Sequence, residues 1–114
     1  MKNDTNEWLA VQELRDALDK KFGQDILVMD LRNVTTIADY FVIATGNSVP
    51  QLQALTETSE EIMKKHGIPL SHIEGMRAGE WVLLDFGSII VHLFDKESRQ
   101  FYNLERVWGD ANIV

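Results

Sequence analysis

Three polar residues interrupt an otherwise apolar stretch between Trp81 and Phe94, which reads WVLLDFGSIIVHLF. Asp85, Ser88 and His92 are the residue types of a hydrolytic triad, in which a carboxylate orients a histidine that activates a serine. Such a serine normally stands on a sharp turn between a strand and a helix. Ser88 lies instead in or beside a predicted hairpin turn, so the sequence does not favour a hydrolase.

Two further patterns with catalytic or metal-ligating residue types are incomplete. Residues 85–87 spell the DFG motif of kinases, but the chain has neither the glycine-rich loop nor the HRD motif that accompanies it. His72 with Glu74, and His92 with Asp95, carry metal-ligating side chains without a recognised ligand spacing. The sequence therefore predicts no metal site.

The sequence has only part of the residue pattern that nucleotidyl transfer or phosphate binding requires. A nucleotidyl transferase needs carboxylates clustered on adjacent strands to hold Mg²⁺, whereas Asp30, Asp39 and Asp85 end three separate segments. Residues 46–48 precede a predicted helix and could bind a phosphate through free backbone N–H groups. A helix cap at Ser48 is the favoured interpretation of that turn. The sequence predicts a protein that is not an enzyme and that has no cofactor.

Length and composition predict one globular domain. The chain has 114 residues, of which 45% are hydrophobic and 25% charged, enough for a single apolar core. We expect the domain to span residues 1–114, with flexible ends at 1–4 and 109–114. The absence of cysteine excludes disulfides and thiolate chemistry. Because the sequence has no apolar run long enough for a membrane span and no secretory signal, we expect a cytoplasmic location.

The charge balance predicts the kind of partner. With 18 acidic and 11 basic side chains, the net charge is −7 at neutral pH. Affinity for nucleic acids comes mainly from lysine and arginine side chains that neutralise phosphates. We therefore expect no direct DNA binding, little direct RNA contact and no membrane contact. A basic protein is the partner that this charge favours.

The elements around the apolar stretch predict an α/β fold, with a mixed β-sheet and flanking helices. The expected order is a helix at 5–22, strands at 26–29 and 40–45, a helix at 50–66, a short strand at 72–74, the hairpin at 81–94 and one or two short helices within 96–108. Asp4 and Glu7 can form a capping box for the first helix. The strands at 26–29 and 40–45 are apolar on both faces, which is typical of central strands in a covered sheet.

The hairpin is expected to turn at Phe86-Gly87. The cross-strand pairs are then Asp85–Ser88, Leu83–Ile90 and Trp81–His92. One face of the hairpin carries only aliphatic side chains, namely Val82, Leu84, Ile89, Val91 and Leu93. Because nothing on that face can interact favourably with water, we expect it in the core.

The other face of the hairpin mixes apolar and polar side chains. It carries Trp81, Leu83, Ile90 and Phe94 together with Asp85, Ser88 and His92. Such a surface is too apolar to favour open water and too polar for deep burial. Two interpretations stay open: the face contacts another protein through an aromatic anchor with polar groups around it, or the first or the terminal helix covers it.

Motifs along most of the chain resemble those of one family. Residues 39–48 read DYFVIATGNS and are similar to its DYFVI-x-(S/T)-G-x-S signature. Glu74-Gly75, followed by WVLLDFG at 81–87, resembles its EG…W-x-L-x-D-x-G block. The series continues through Val91-His92, Arg99, Tyr102-Asn103-Leu104-Glu105 and Trp108. From about residue 10 to residue 111 the chain resembles the ribosomal silencing factor family, also called Iojap-related.

The resemblance implies a translational repressor. Members bind the large ribosomal subunit through ribosomal protein fourteen, a basic protein on the intersubunit face, and thereby block association with the small subunit. Relatives in organelles act in large-subunit assembly, so an assembly factor that uses the same contact is the alternative, and a nucleotide-binding enzyme is a less favoured one. The implied fold is nucleotidyltransferase-like without the catalytic, metal-binding carboxylates. Members often associate as dimers, so a homodimer of the free chain is also expected.

The resemblance also implies which residues bind the partner. They are Trp81, Asp85, His92, Tyr102, Glu74 and Leu83. Trp81 is the expected apolar anchor, and the carboxylates of Asp85 and Glu74 are expected to meet basic side chains. His92 and Tyr102 are expected to frame the anchor or to form hydrogen bonds across the interface.

Two departures from the family pattern change what is expected locally. Ser88 stands where the family usually has aspartate after the hairpin glycine, which removes one negative charge near the expected contact face. Residues 49–51 read VPQ where the family favours Arg-Gln after the serine of the strand-to-helix turn. The second change weakens the expectation of a polar contact from that turn.

Overall fold

The computed structural model describes residues 5–75 and 80–114. Its helices are α1 (Asn6–Lys20), α2 (Val49–Lys65), α3 (Lys96–Tyr102) and α4 (Leu104–Val107). Its strands are β1 (Gln24–Asp30), β2 (Tyr40–Thr45), β3 (His72–Glu74), β4 (Trp81–Asp85), β5 (Ile89–Phe94) and β6 (Asn112–Ile113). They form one sheet in the order β3-β4-β5-β2-β1-β6, in which β2 and β5 are parallel and the other neighbours antiparallel. The predicted mixed α/β sheet is confirmed.

Capping side chains and a left-handed residue set the bounds of α1. The Thr5 side chain accepts a hydrogen bond from the Trp8 backbone N–H at 3.2 Å and so caps the helix. The predicted cap at Asp4 lies outside the described residues. The helix ends before Phe22, which has a φ of +65°, so it is shorter than predicted. None of the helices in the described ranges is long and apolar enough to cross a membrane.

Helices α1 and α2 cover one face of the sheet and bury an aliphatic cluster. The five hairpin residues predicted for the core lie in this cluster and are all buried: Val82, Leu84, Ile89, Val91 and Leu93. Leu14 and Leu18 from α1, and Leu52 and Leu55 from α2, pack against the same cluster. The alternation of side chains along the strands thus places the core where the sequence predicts it.

A second apolar cluster lies on the opposite face of the sheet, around β1, β2 and β5. Its buried members are Met29, Leu31, Ala38, Phe41, Ile43 and Phe94. The chain from α4 to the loop before β6 packs over this cluster through Leu104, Trp108 and Ala111. The C-terminal segment therefore covers the β1–β2–β5 part of this face.

The C-terminal residues, for which the sequence predicts a flexible end at 109–114, contact the outer edge of β1. Ile113 of β6 pairs with Met29 of β1, and the Val114 backbone N–H donates to the Val28 carbonyl at 3.0 Å. The Arg15 guanidinium donates to the Val114 carbonyl at 3.0 Å. The physical reason is that the outer edge of β1 offers unpaired backbone groups, which the terminal residues satisfy. The other predicted flexible end, 1–4, lies outside the described residues.

The two strands predicted to be central occupy different places in the sheet. Every residue of β2 is buried between β1 and β5, as the prediction requires. The start of β1 is exposed at Gln24 and Asp25, and its register with β2 shifts between Gln24 and Leu27. β1 nevertheless lies between β2 and the two-residue β6, and residues 26–29 pack into the apolar clusters on both faces of the sheet, as the prediction requires.

Candidate partner-binding face

The hairpin of β4 and β5 has a register two residues away from the predicted one. The observed pairs are Trp81–Phe94, Val82–Leu93, Leu83–His92, Leu84–Val91 and Asp85–Ile90. The predicted pairs Trp81–His92, Leu83–Ile90 and Asp85–Ser88 are therefore wrong. Because the difference is an even number of residues, each side chain still lies on its predicted face of the sheet.

The turn explains this difference in register. The Phe86 backbone N–H donates to the Ile89 carbonyl at 2.9 Å, so Gly87 and Ser88 are the two turn residues. Gly87 has a φ of +84°, a left-handed conformation that favours glycine at the first position of a tight hairpin turn. Asp85 Oδ1 accepts a hydrogen bond from the Gly87 N–H at 2.8 Å and holds the turn. Asp85 therefore has a structural contact besides any partner contact.

Strand β3 extends the mixed face of the hairpin by one strand. It pairs with β4 through His72–Asp85, Ile73–Leu84 and Glu74–Leu83. Since paired residues share a face, Glu74 lies on the same face as Leu83, whereas Ile73 packs on the helix-covered side. We call this surface the open face and define it by Glu74, Trp81, Leu83, Asp85, His92 and, from α3, Tyr102. The structure thus brings all six predicted partner-binding residues together.

Solvent exposure separates these six residues into two groups. Glu74 and Tyr102 are exposed, with Tyr102 at 41%, and Trp81, Leu83 and Asp85 are half-buried. His92 is only 4% exposed. Five of the six can reach a partner, and His92 can act only through its neighbours.

The Trp81 indole is held in place by aromatic neighbours. Its ring centroid lies 4.3 Å from that of Tyr102 and 5.0 Å from that of Phe94. Its Nε1–H donates a hydrogen bond to His92 Nδ1 at 3.1 Å. These contacts support both interpretations of the face: α3 covers part of it through Tyr102, and the rest of the indole remains accessible. A large side chain that is already ordered loses little conformational freedom on binding.

The His92 imidazole is a neutral group inside the protein. Burial lowers its pKa to about 4, so the ring is uncharged at neutral pH. Because Nδ1 accepts from Trp81, the ring proton lies on Nε2, which has no hydrogen-bond partner within the described ranges. The Phe41 ring packs against the imidazole in a T-shaped arrangement, with 4.6 Å between the two ring centroids. His92 therefore supports Trp81 within an apolar setting.

The contacts of these residues do not form a hydrolytic triad. His92 Nδ1 accepts from Trp81 rather than donating to a carboxylate, and Asp85 Oδ1 binds the backbone of the turn. Ser88 is a turn residue whose carbonyl accepts from the Asp39 and Tyr40 backbone N–H groups. In the two described segments, no three His, Asp or Glu side chains are grouped so as to hold a metal ion.

The turn before α2 uses its polar groups within the protein. The Ser48 hydroxyl accepts from the Gln51 N–H at 3.2 Å, which confirms the predicted cap. The Asn47 N–H donates to the Gln51 side-chain oxygen, and the Gln51 amide in turn donates to the Phe22 carbonyl at 2.8 Å. Since these donors already have partners, the helix cap is a better description of the turn than a phosphate site.

The structure adds two residues that the sequence did not identify. Glu80 directly precedes Trp81, and Phe101 packs edge-on against Tyr102 at 5.1 Å while remaining exposed. A recess of about 270 Å³ lies beside the open face, and its lining includes Glu80, Asp95, Phe101 and Tyr102. The sequence contained a signal for each of these two residues. Glu80 is an acidic residue next to the predicted anchor, and Phe101 is one of two adjacent aromatic residues on a predicted short helix.

This chain is similar to a family model, to proteins named for a role at the ribosome and to solved structures. The family model described as "Ribosomal silencing factor during starvation" matches residues 2–114. The ribosomal silencing factor RsfS of Bacillus subtilis is 42% identical, over 86% of this chain and 83% of that protein. A mouse protein named mitochondrial assembly of ribosomal large subunit protein 1 is 33% identical, over 86% of this chain and 44% of its own length. A crystal structure of a Chromobacterium violaceum protein has a TM-score of 0.81 at 32% identity, covering 89% of this chain and 85% of that one.

Proposed function

The chain belongs to the ribosomal silencing factor family, and from this premise we propose that it docks on the large ribosomal subunit through the open face. Ribosomal silencing factors are not enzymes; they bind the large subunit and block the joining of the two subunits. The proposal concerns which surface of this chain makes the contact and which ribosomal protein receives it.

The observation that carries the proposal is the ordered, half-buried Trp81 among carboxylates on a partly uncovered sheet face. Protein interfaces gain most of their affinity from a few aromatic or arginine anchors near the centre, surrounded by polar groups. Trp81 and Leu83 supply an apolar centre of this kind. Glu74 and Asp85 lie on the same face, and Glu80 precedes the anchor.

The charge of the protein supports a basic ribosomal protein as the receptor. The chain carries a net charge of −7, and some of its carboxylates surround the apolar centre of the open face. Ribosomal RNA would be repelled by such a surface, whereas a basic protein would be attracted and oriented by it. We propose ribosomal protein fourteen, a basic protein on the intersubunit side, as this receptor.

The proposed mechanism is steric. A domain bound to a protein on the intersubunit side occupies space that the small subunit needs, so the two subunits cannot join while it is bound. No chemical step is involved, and the strength of silencing follows from occupancy of the site. The proposal places this action in the cytoplasm, with residues 1–114 acting as one domain.

A role in large-subunit assembly is the second candidate, favoured by the name and the similarity of the mouse protein. Assembly and silencing use the same contact and differ in when the factor binds. Two finer expectations stay predictions: kinship of the sheet with nucleotidyl transferases, and a homodimer of the free chain through the open face. Sedimentation velocity of the free chain, compared with the Trp81→Ala variant, tests the dimer.

Co-sedimentation with separated ribosomal subunits tests the docking surface. We expect the wild-type chain to travel with large subunits and not with small ones. We expect Trp81→Ala to lose at least about 30-fold in affinity, equivalent to about 2 kcal/mol for the loss of an anchor. The matched control is Val49→Ser, which removes an exposed apolar side chain at the start of α2, on the helix-covered side of the sheet.

The fold of the variant decides how the result is understood. Trp81 is half-buried, so circular dichroism and thermal unfolding must show that Trp81→Ala is folded at the assay temperature. A folded variant that binds large subunits as tightly as the wild type would exclude the open face as the docking surface. Wild-type protein that stays at the top of the gradient in low salt would contradict the ribosomal function of this chain.

A further inference from the structure

A second concave surface lies on the helix-covered side of the hairpin turn. It is a groove of about 480 Å³ between the C-terminal end of α2 and the turn that joins β4 and β5. Its lining includes Glu60, Lys64, Ile68, Pro69, Leu70 and Phe86. We call it the α2 groove. Its volume is in the range of about 300–1,000 Å³ that is typical of ligand-binding clefts.

The apolar floor of the α2 groove is held open to solvent by the local backbone. Gly67 has a φ of +73° and ends α2, after which the Ile68 N–H donates to the Met63 carbonyl at 2.9 Å. The Ser71 N–H donates to the Asp85 carbonyl at 2.8 Å and ties the segment to the end of β4. Between these two attachments Leu70 remains 37% exposed. The fold thus fixes an aliphatic side chain in a concave, accessible place.

One wall of the α2 groove is acidic. Glu60 lines the groove directly, and Glu57 and Glu61 lie next to it on the same exposed side of α2, three residues before and one residue after it. Lys64 offsets one of these three charges. The ligand that complements such a wall is cationic. A second copy of this acidic chain, or a nucleic acid, would be repelled.

The α2 groove is continuous with the open face. Asp85 belongs to the open face, and the next residue, Phe86, forms part of the groove, because successive side chains of a strand alternate between faces. The chain at 68–71 passes beside the end of β4 and joins β3 at His72, so the two surfaces share one rim. A partner seated on the open face can therefore reach the groove by passing around the hairpin turn.

We propose that the α2 groove binds a basic, extended segment of the same ribosomal protein that docks on the open face. One aliphatic side chain of the segment contacts the exposed Pro69 and Leu70, which line the groove together with the buried Phe86, and flanking lysine or arginine side chains face the carboxylates of α2. The identity of the partner rests on the proposed function, whereas the basic and aliphatic character of the segment follows from the groove. In this proposal the partner contacts both faces of the β4–β5 hairpin.

The test measures two affinities for the same set of variants. Leu70→Ser removes the apolar contact and Glu60→Lys reverses the charge of the wall, while Trp81→Ala probes the open face. Each variant is titrated with purified ribosomal protein fourteen and with large subunits. We expect Leu70→Ser and Glu60→Lys each to lose about fivefold to tenfold in affinity for both, with the Glu60→Lys loss shrinking at high salt.

Matched controls separate the groove from general effects of charge and hydrophobicity. Val49→Ser removes an exposed apolar side chain at the far end of α2, and Asp19→Lys makes the same charge change at the end of α1. Both are expected to bind as the wild type does. Leu70 and Glu60 are exposed, so we expect thermal unfolding of their variants to change little.

Each outcome decides between the two proposals. If the groove variants bind as the wild type does while Trp81→Ala binds weakly, the groove proposal is wrong and the docking function stands. If they lose affinity for subunits but not for the isolated protein, the segment does not belong to that protein and the proposal is overturned. If they instead dissociate a homodimer of the free chain, the occupant is a second copy and the proposal is again overturned. If folded Trp81→Ala also binds normally, the proposed docking function itself fails.

Discussion

The two faces of the β4–β5 hairpin come from alternate residues of the same strands and meet different surroundings. On the helix-covered face, Leu84 and Val91 are fully buried among aliphatic neighbours. On the open face, Trp81 and Leu83 are half-buried, and Tyr102 of α3 packs against Trp81. One hairpin can therefore supply stability through one face and binding through the other. Substitutions at neighbouring positions should separate these two properties.

The largest effect is expected from the helix-covered face. Leu84→Ala should lower the free energy of unfolding by about 2–5 kcal/mol, because it removes buried methyl groups and leaves a cavity. Leu83→Ala, one residue away on the open face, should cost less than half as much stability. Urea denaturation at neutral pH measures both. Equal losses in the two variants would mean that the open face is as well covered as the core.

The same two variants should also differ in their affinity for large ribosomal subunits. At a temperature where both variants are folded, Leu84→Ala should bind large subunits as the wild type does, whereas Leu83→Ala should bind more weakly. Titration with large subunits, corrected for the folded fraction, measures the difference. Weaker binding by Leu84→Ala than by Leu83→Ala would contradict the division of roles between the faces.

Acidification should act through the one buried histidine of the open face. The pKa of His92 falls from an ordinary 6.5 to about 4 because burial disfavours the charged ring. Between those values the unfolded chain takes up a proton and the folded chain does not, so stability is complete above pH 6.5 and decreases as pH falls toward 4. The loss from this group should reach about 3 kcal/mol. Urea denaturation at a series of pH values measures it.

The control for this prediction is His92→Asn, whose side-chain oxygen stands at the position of Nδ1 and keeps an acceptor for the Trp81 indole but does not titrate. Whatever its unfolding free energy at neutral pH, that free energy should decrease less steeply between pH 6.5 and 4 than the free energy of the wild type. Contributions from the carboxylates are common to both proteins and cancel in the comparison. Parallel curves for the two proteins would show that His92 is not held neutral by burial.

The smallest effect is expected from the exposed charges of the open face. Glu74 pairs with His72 at 2.9 Å in an exposed position, so Glu74→Gln should leave stability nearly unchanged. It should lower affinity for the basic partner by less than about 1 kcal/mol, mainly through slower association at low salt. Stopped-flow measurements over a range of salt concentrations, with Asp19→Asn as control, would detect this. A loss that persists at high salt would indicate a buried contact instead.

Local patterns predicted the elements and the faces of the sheet. Strand Tyr40–Thr45 and the aliphatic hairpin face with Leu84 are where periodicity places them, since alternation is a property of neighbouring residues. The hairpin register was missed because Phe86-Gly87 and Gly87-Ser88 are both acceptable turn sequences, and only cross-strand packing selects one.

Local sequence patterns could not predict the contacts between distant parts of the chain. The ring packing of Tyr102 on Trp81, and the pairing of Ile113 with β1, join segments that local periodicity does not relate. The burial of His92 depends on Phe41 and Trp81 together. The resemblance to a family selected the residues of the open face, and the structure supplied their exposure and their division into contacting and supporting side chains.

The parallel pairing of β2 with β5 has a consequence for the order of events during synthesis. Tyr40 pairs with Ile89 and Thr45 with Phe94, so the centre of the sheet joins an early strand to a late one. Such long-range pairing slows folding and leaves apolar surface exposed until the later strand is available. The apolar sides of α1 and α2 must wait for β4 and β5 before they are fully covered. A ribosome therefore has to make most of this chain before the chain can acquire the surface with which it would silence another ribosome.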